Sequence, residues 1–288
     1  FDKNAEIYNT IFKLGFSFAE IGTVTPLAQY GNPKPRVFRL NDDMAIINRL
    51  GFPSLGMEEV YSNIKKNKPN GILGINIGPN KDSISKVEDY LKCFKIFCNL
   101  GDYICINISS PNTPNLRDLH EKKKIEELLT IIKIKQTELK NNTPIIIKIS
   151  PDINDDNIKE LSNILIEKKI DGVALTNTTI KNRNNLKSKN KDKIGGLSGV
   201  PLQSTSNLII KKFYKILQDR IPIIGAGGVS DGKSAFEKIK SGASLIQLYT
   251  SIVYQGPLIA NNINKELEEL LITNGFKNLK EAVGVDAV

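Results

Sequence analysis

Asn107-Ile-Ser-Ser-Pro-Asn112-Thr113 joins an apolar run, Tyr103 to Ile108, to a turn crowded with amide and hydroxyl groups. A buried strand that opens into a polar cluster is where α/β proteins hold their chemistry, because a rigid strand fixes side chains that the loop then exposes. The pattern recurs: Asn76 ends Gly71 to Asn76, Lys148 ends Ile145 to Lys148, and Thr176-Asn177 ends the run that starts at Gly172. One site is therefore assembled from several strand ends. Amides both donate and accept, so Asn76, Asn107, Asn112 and Asn177 suit a planar, polar ligand with imide edges better than a lipid or a peptide. Lys148, inside Ile145-Ile-Ile-Lys-Ile149, would be costly to bury unless it met an anion or an electron-rich ligand. The alternative is that it tops the strand and reaches solvent along its own stem.

A second kind of chemistry lies near the C-terminus. Ile224-Gly-Ala-Gly-Gly228 ends one apolar run and Gly242 to Thr250 forms the next. Glycines let backbone N–H groups approach an anion, and the last two strands of an α/β barrel commonly hold phosphate in this way. Gly227-Gly228 is read as such a site together with Tyr249-Thr250 and Gly195-Gly-Leu-Ser198-Gly199. The single histidine, His120, lies in a charged stretch entering a helix. A Ser-His-Asp triad or a histidine-rich zinc site is thereby disfavoured, and proton transfer is expected to use another group.

The elements that must position these residues are seven short apolar or β-rich runs: Phe18 to Thr25, Gly71 to Ile77, Tyr103 to Ile108, Ile145 to Ile149, Gly172 to Thr176, Ile221 to Gly225 and Ala243 to Tyr249. Stretches of helical period separate most of them, at Val87 to Cys98, Lys124 to Leu139, Asn157 to Lys168, Ser206 to Leu217 and Gly232 to Ile239. Alternation of this kind, without a G-x-G-x-x-G opening, predicts a parallel α/β barrel in one domain, residues 1–288. A barrel of this type needs eight strands. Ala5 to Leu14 already reads as the first helix, so the missing strand is expected to precede residue 1. The connection from Thr25 to Gly71, with a β-rich piece at Arg36 to Leu40, is expected to build the substrate side of the pocket. Thr178 to Lys193, rich in Asn and Lys, reads as a mobile loop without a fold of its own.

Composition narrows the partners. The formal charge is +9, but the basic residues are scattered and not gathered with aromatics, so no nucleic-acid partner is expected. Cys93, Cys98 and Cys105 form no C-x-x-C pair and no even framework, and are read as reduced and packed. No run of 18 apolar residues exists to cross a bilayer, and no N-terminal leader is legible.

Phe1-Asp-Lys-Asn-Ala-Glu6, Glu20-Ile-Gly-Thr-Val-Thr-Pro26, Lys34-Pro-Arg-Val-Phe-Arg-Leu40, Ile47-Asn-Arg-Leu-Gly-Phe52, Gly74-Ile-Asn-Ile-Gly78, Asn107 to Thr113, Thr176-Asn-Thr-Thr179, Gly195 to Gly199 and Ile223 to Gly228 resemble, in order, the dihydroorotate dehydrogenases. The resemblance is to the class 2, quinone-using, membrane-associated form. It implies a (β/α)8 TIM barrel and an FMN enzyme that oxidises (S)-dihydroorotate to orotate in pyrimidine synthesis. By the same resemblance Ser110 is the catalytic base, where class 1 members carry cysteine. Lys3, Asn48, Phe52, Asn107, Asn112, Thr113 and Asn177 match substrate positions. Thr23, Asn76, Asn107, Lys148, Thr176, Ser198, Gly199, Gly227, Gly228, Tyr249 and Thr250 match the flavin site, and Arg39 matches a residue near the quinone pocket. Class 2 members carry an amphipathic helical segment and a first barrel strand before the point where this sequence begins. Peripheral membrane contact is expected through that segment, at the cytoplasmic face of a bacterial plasma membrane or at the mitochondrial inner membrane. Two other readings are a soluble flavin barrel using fumarate or a nicotinamide-linked acceptor, against which Ser110 argues, and a non-catalytic basic binding module.

Overall fold

The computed structural model describes residues 2–287; Phe1, which opens the first motif, and Val288 lie outside them. In chain order the elements are α1 (Tyr8–Phe12), β1 (Phe18–Val24), β2 (Val37–Leu40), β3 (Ala45–Asn48), α2 (Met57–Lys66), β4 (Ile72–Ile77), α3 (Lys86–Phe97) and β5 (Tyr103–Asn107). There follow α4 (Lys122–Glu138), β6 (Ile145–Ile149), α5 (Asp155–Glu167), β7 (Gly172–Leu175), β8 (Gly196–Gly199) and α6 (Gln203–Leu217). The chain closes with β9 (Ile223–Ala226), α7 (Gly232–Lys240), β10 (Leu245–Gln247), α8 (Thr250–Gln255), α9 (Ile259–Thr273) and α10 (Leu279–Ala282). Each of the seven expected strand runs is a strand, and together they form one parallel sheet in the order β1-β4-β5-β6-β7-β9-β10. Among the described residues β1 and β10 each pair on one side only.

The two-residue period of a strand sorts these chains into a core face and a site face. On β5 and β6, Ile104, Ile106, Ile145, Ile147 and Ile149 join the main apolar core, with Phe94 and Phe97 of α3 and Leu128 and Ile132 of α4. The alternate residues, Tyr103, Cys105 and Ile146, with Ala174 and Ile224, line the inside of the barrel. The ring of Tyr103 crosses the β4 backbone where Gly74 has no side chain; a Cβ there would fall on the ring. One or two steps further along each strand the inward positions turn polar, at Glu20, Asn76, Asn107, Lys148 and Gln247. The barrel is thus apolar at its base and hydrogen-bonding towards the C-terminal ends of its strands.

The connection between β1 and β4 forms a second structure, a three-stranded antiparallel sheet in the order β2-β3-β8. Ala45 to Asn48 pair with Gly199 to Gly196, so this sheet ties the β1 connection to the segment after β7. Thr178 to Lys193, whose composition predicts a mobile loop, has no helix or strand but is anchored at several points. Asp43 accepts the N–H groups of Lys187 (2.9 Å) and Ser188 (3.0 Å), and Arg183 donates to the carbonyls of Lys191 and Lys193. Leu186 is buried with Leu40, Ala45, Ile47 and Leu197. One leucine and an acidic cap 144 residues away in sequence outweigh the polar composition.

Candidate active site

The site begins with an ion pair on the barrel floor. Lys148 Nζ lies 3.2 Å from Glu20 Oε1 and donates to Gln247 Oε1 at 3.0 Å. Asn76 Nδ2 donates to Glu20 Oε1 (2.9 Å) and Tyr103 donates its hydroxyl proton to Glu20 Oε2 (3.2 Å). Burial alone would push the Glu20 carboxyl up; the Lys148 ammonium and the Asn76 amide outweigh it and hold the group below its ordinary value. Lys148 shows the mirror effect: burial opposes its charge, and Glu20 more than restores it. Glu20 was missed in the sequence, although an acidic residue at an inward position of an apolar strand is a legible signal.

Above this floor three strand-end amides are linked. Asn76 Oδ1 accepts from Thr23 Oγ1 (2.7 Å) and from Asn107 Nδ2 (3.2 Å). Asn107 Oδ1 accepts from Ser109 Oγ (2.9 Å), and Asn177 Nδ2 donates to the same hydroxyl at 2.8 Å. Asn112 extends the group across to the small sheet, its Nδ2 reaching the backbone oxygen of Asn48 at 3.1 Å. Ser110 is buried and lines the cavity; its Oγ accepts the Asn112 N–H (3.2 Å), and its own proton has no protein acceptor among the described residues.

A largely buried Arg117–Asp152 pair, also missed in the sequence, fixes the two loops that carry these groups. Arg117 NH1 lies 2.8 Å from Asp152 Oδ2, while Nε donates to the Ser109 carbonyl (3.1 Å) and NH2 to the Thr178 carbonyl (3.0 Å). Asp152 in turn accepts from the Thr179 hydroxyl and the Ile180 N–H. One guanidinium therefore holds the Ser109-Ser110 turn and the Asn177-Thr178 turn against the β6 loop.

At the other end of the cavity Gly227 and Gly228 have φ of 106° and 81°, and a Cβ on Gly228 would collide with the backbone of Gln203 at the start of α6. Glycine is required there both by the turn and by the close approach. The N–H groups of Gly227, Gly228 and Val229 have no acceptor among the described residues. The Thr176 hydroxyl is buried without a partner, and Thr250 Oγ1 donates to Ser198 Oγ at 2.8 Å. Unpaired backbone donors on a glycine turn can hold a phosphate, and the Lys148 end can meet the polar edge of a flat heterocycle.

These groups share one cavity of about 520 Å³, whose lining also includes Phe16 to Ala19 and Ser244 to Ile246. Lys3, Asn48, Phe52, Asn112 and Asn177 line it with Ser110; so do Thr23, Asn76, Asn107, Lys148, Thr176, Ser198, Gly199, Gly227, Gly228, Tyr249 and Thr250. Two expected residues do not. Thr113 is buried beside the cavity, its carbonyl accepting the Leu116 N–H. Arg39 is exposed on β2 and borders a separate shallow hollow with Asn41, Asp42 and Ser188 to Asn190. The three cysteines are buried and unpaired. His120 is packed beside the Ser109 loop; burial, and then the Arg117 charge, lower its pKa to about 4, and its Nε2 has no partner.

The fold and site define an α/β barrel whose strand ends converge on a cavity with a glycine turn of unpaired N–H groups at one end and a polar, lysine-bearing floor. The dihydroorotate dehydrogenase family model matches residues 1–271, and the chain belongs to that family. It is 49% identical over 272 residues to the dihydroorotate dehydrogenase (quinone) of Buchnera aphidicola subsp. Schizaphis graminum, covering 92% of this chain and 81% of that one. It is 41% identical to the mitochondrial dihydroorotate dehydrogenase (quinone) of Mus musculus, covering 99% of this chain and 75% of that one. Among solved structures, the Eimeria tenella enzyme in complex with ferulenol superposes with a TM-score of 0.96 at 36% identity, over 99% of this chain and 83% of that one.

Proposed function

We propose that this chain oxidises dihydroorotate to orotate in pyrimidine synthesis, with FMN as its bound cofactor and a quinone as final electron acceptor. The observation that supports this most directly is the placement of Ser110, its proton free towards the cavity, among Asn107, Asn112 and Asn177 and across from the unpaired N–H groups of Gly227 to Val229. The residues fit the cofactor: the glycine turn with Ser198, Gly199, Tyr249 and Thr250 takes the phosphate end. Thr23, Asn76, Lys148 and Thr176 take the heterocycle. When bound, FMN supplies the hydride acceptor.

The chain's own groups do the rest. Asn107, Asn112 and Asn177, with Asn48 and Lys3, hold the substrate's imide and carboxylate edges, amides matching the imide and the ammonium matching the carboxylate. Ser110 takes the C5 proton. A serine hydroxyl is a weak base at its ordinary pKa, so as the C5 proton arrives its own proton must pass to a water molecule in the cavity, which carries it to solvent. The Asn112 N–H on Ser110 Oγ favours the negative charge that develops there. Phe52 packs beside Gly78 and forms an apolar part of the cavity wall.

A quinone acceptor places the chain at a membrane as a peripheral protein, and among the described residues no helix is long and apolar enough to cross one. Purified protein should be yellow, with a flavin spectrum that bleaches when dihydroorotate is added without air and returns on adding a short-chain quinone. A colourless protein that binds no flavin would overturn the proposal. A bleached flavin reoxidised by fumarate or a nicotinamide nucleotide in place of quinone would overturn the acceptor alone.

A further inference from the structure

Lys238 is wholly buried in α7 and takes no part in the chemistry above. Its stem packs on Gly225 of β9 and its Nζ donates to Ser206 Oγ (2.9 Å) and Asn207 Oδ1 (2.7 Å) of α6. Ser206, also wholly buried, gives its own proton to the Ala226 carbonyl at 2.6 Å. That carbonyl accepts a second bond from the Thr176 N–H at 2.9 Å. Ala226 is the residue immediately before the glycine turn. Burying a lysine with no carboxylate in contact is costly, and its pKa falls to about 7. Both of its partners can only accept here, so the ammonium and the neutral amine alike donate to them.

We infer that Lys238 is a positioning residue for the anion turn: acting through Ser206, it fixes the Ala226 carbonyl into the body of the barrel and so aims the Gly227 N–H at the cavity. The link is the planarity of the peptide bond. The Ala226–Gly227 peptide is trans, so its N–H points opposite to its C=O, and two donors holding the carbonyl inward hold the N–H outward. Lys238 also determines which way the Ser206 hydroxyl points, because a donor on its oxygen leaves the proton only the Ala226 side. Without it the hydroxyl is no longer confined to the Ala226 side, and the peptide plane can lose one of its two restraints.

This inference rests on the reading that the cofactor's phosphate binds at Gly227-Gly228, and the test separates the two. FMN and riboflavin differ only in the phosphate, so the ratio of their dissociation constants reports the anion turn, while losses common to both report general damage to the fold. The ratio is measured by flavin fluorescence on the full chain, on Lys238→Met, on Ser206→Ala and on the double variant. We expect FMN to weaken by at least about tenfold in each single variant, the scale of one lost hydrogen bond to a charged group. Riboflavin should change by less than about threefold, and the double variant should be no weaker than Lys238→Met. Equal losses for both flavins, or an unchanged ratio in the single variants, would overturn the role of Lys238. If Lys238→Met does not fold, Ser206→Ala decides by the same ratio. An unaltered chain that binds FMN no better than riboflavin would overturn the phosphate site itself and this inference with it.

Discussion

Ser110 and Lys148 carry opposite demands at the scale of single residues. In the proposed reaction Ser110 gains a proton from carbon as its own proton leaves, and the Asn112 N–H on its oxygen favours that departure. Ser110→Ala should leave flavin content intact and slow flavin reduction by dihydroorotate at least about a hundredfold, the usual scale for a lost general base. Rapid-mixing kinetics read this directly, and a variant reduced at the parent rate would make Ser110 a structural turn residue. Lys148 must instead keep its charge inside the barrel, and Glu20 favours this, since burial by itself would lower the pKa of the ammonium. Glu20→Gln removes the partner but keeps the shape. Breaking a buried pair from one side costs about 3–5 kcal/mol, so the urea midpoint should fall well below that of a surface substitution.

Strands place the reacting groups with little freedom, whereas the loops beyond them need separate restraint. Asn107 and Lys148 are register partners on β5 and β6, so their spacing follows from the sheet. Ser109 and Thr178 lie past the strands, and Arg117 ties their two backbones together. Arg117→Ala should therefore lower kcat/KM for dihydroorotate by about tenfold or more, because misplacing a reacting group by even about 1 Å is that costly. Flavin occupancy should be unchanged, since the anion turn lies on other strands; a loss of flavin with unaltered substrate kinetics would contradict this division. Gly228 shows the converse, an element whose backbone is the group proposed to meet the anion: any side chain would strike α6.

The pH response of the whole molecule has one component that a single substitution isolates. The chain has one histidine, and burial together with Arg117 lowers its folded pKa to about 4 from an ordinary 6.5. Between those values the unfolded chain binds a proton that the folded chain refuses, so stability is lost as pH falls from 6.5 towards 4. In His120→Gln the urea midpoint should fall less between about pH 6.5 and pH 4.5 than in the parent, carboxylate effects being common to both. An identical fall would mean that the imidazole is protonated in the folded state.

Local period and turn chemistry carry the barrel and most of its site. Runs such as Ile145 to Ile149 are too apolar and too short to be anything but buried strands, and their alternation with helical stretches leaves few arrangements besides a parallel barrel. The polar residue ending each run marks the cavity, so the asparagines, Lys148 and the glycine turn are legible from residue types and spacing, whereas Ser110 is singled out by the family resemblance. An inward acid such as Glu20 is visible in its strand, but which group it meets across the curved sheet has no local signal. Glu20 and Lys148 are 128 residues apart and meet only because β1 and β6 face one interior. Asp43 and Lys187 are 144 apart, and their contact turns a polar, loop-like segment into an anchored one. Arg117, which reads as surface charge, and Lys238, which reads as part of a helix, are interior groups because a lone charge is placed by the partners that compensate its burial. Those partners come from other strands and helices, so the choice of which charges go inside is made only when the elements pack.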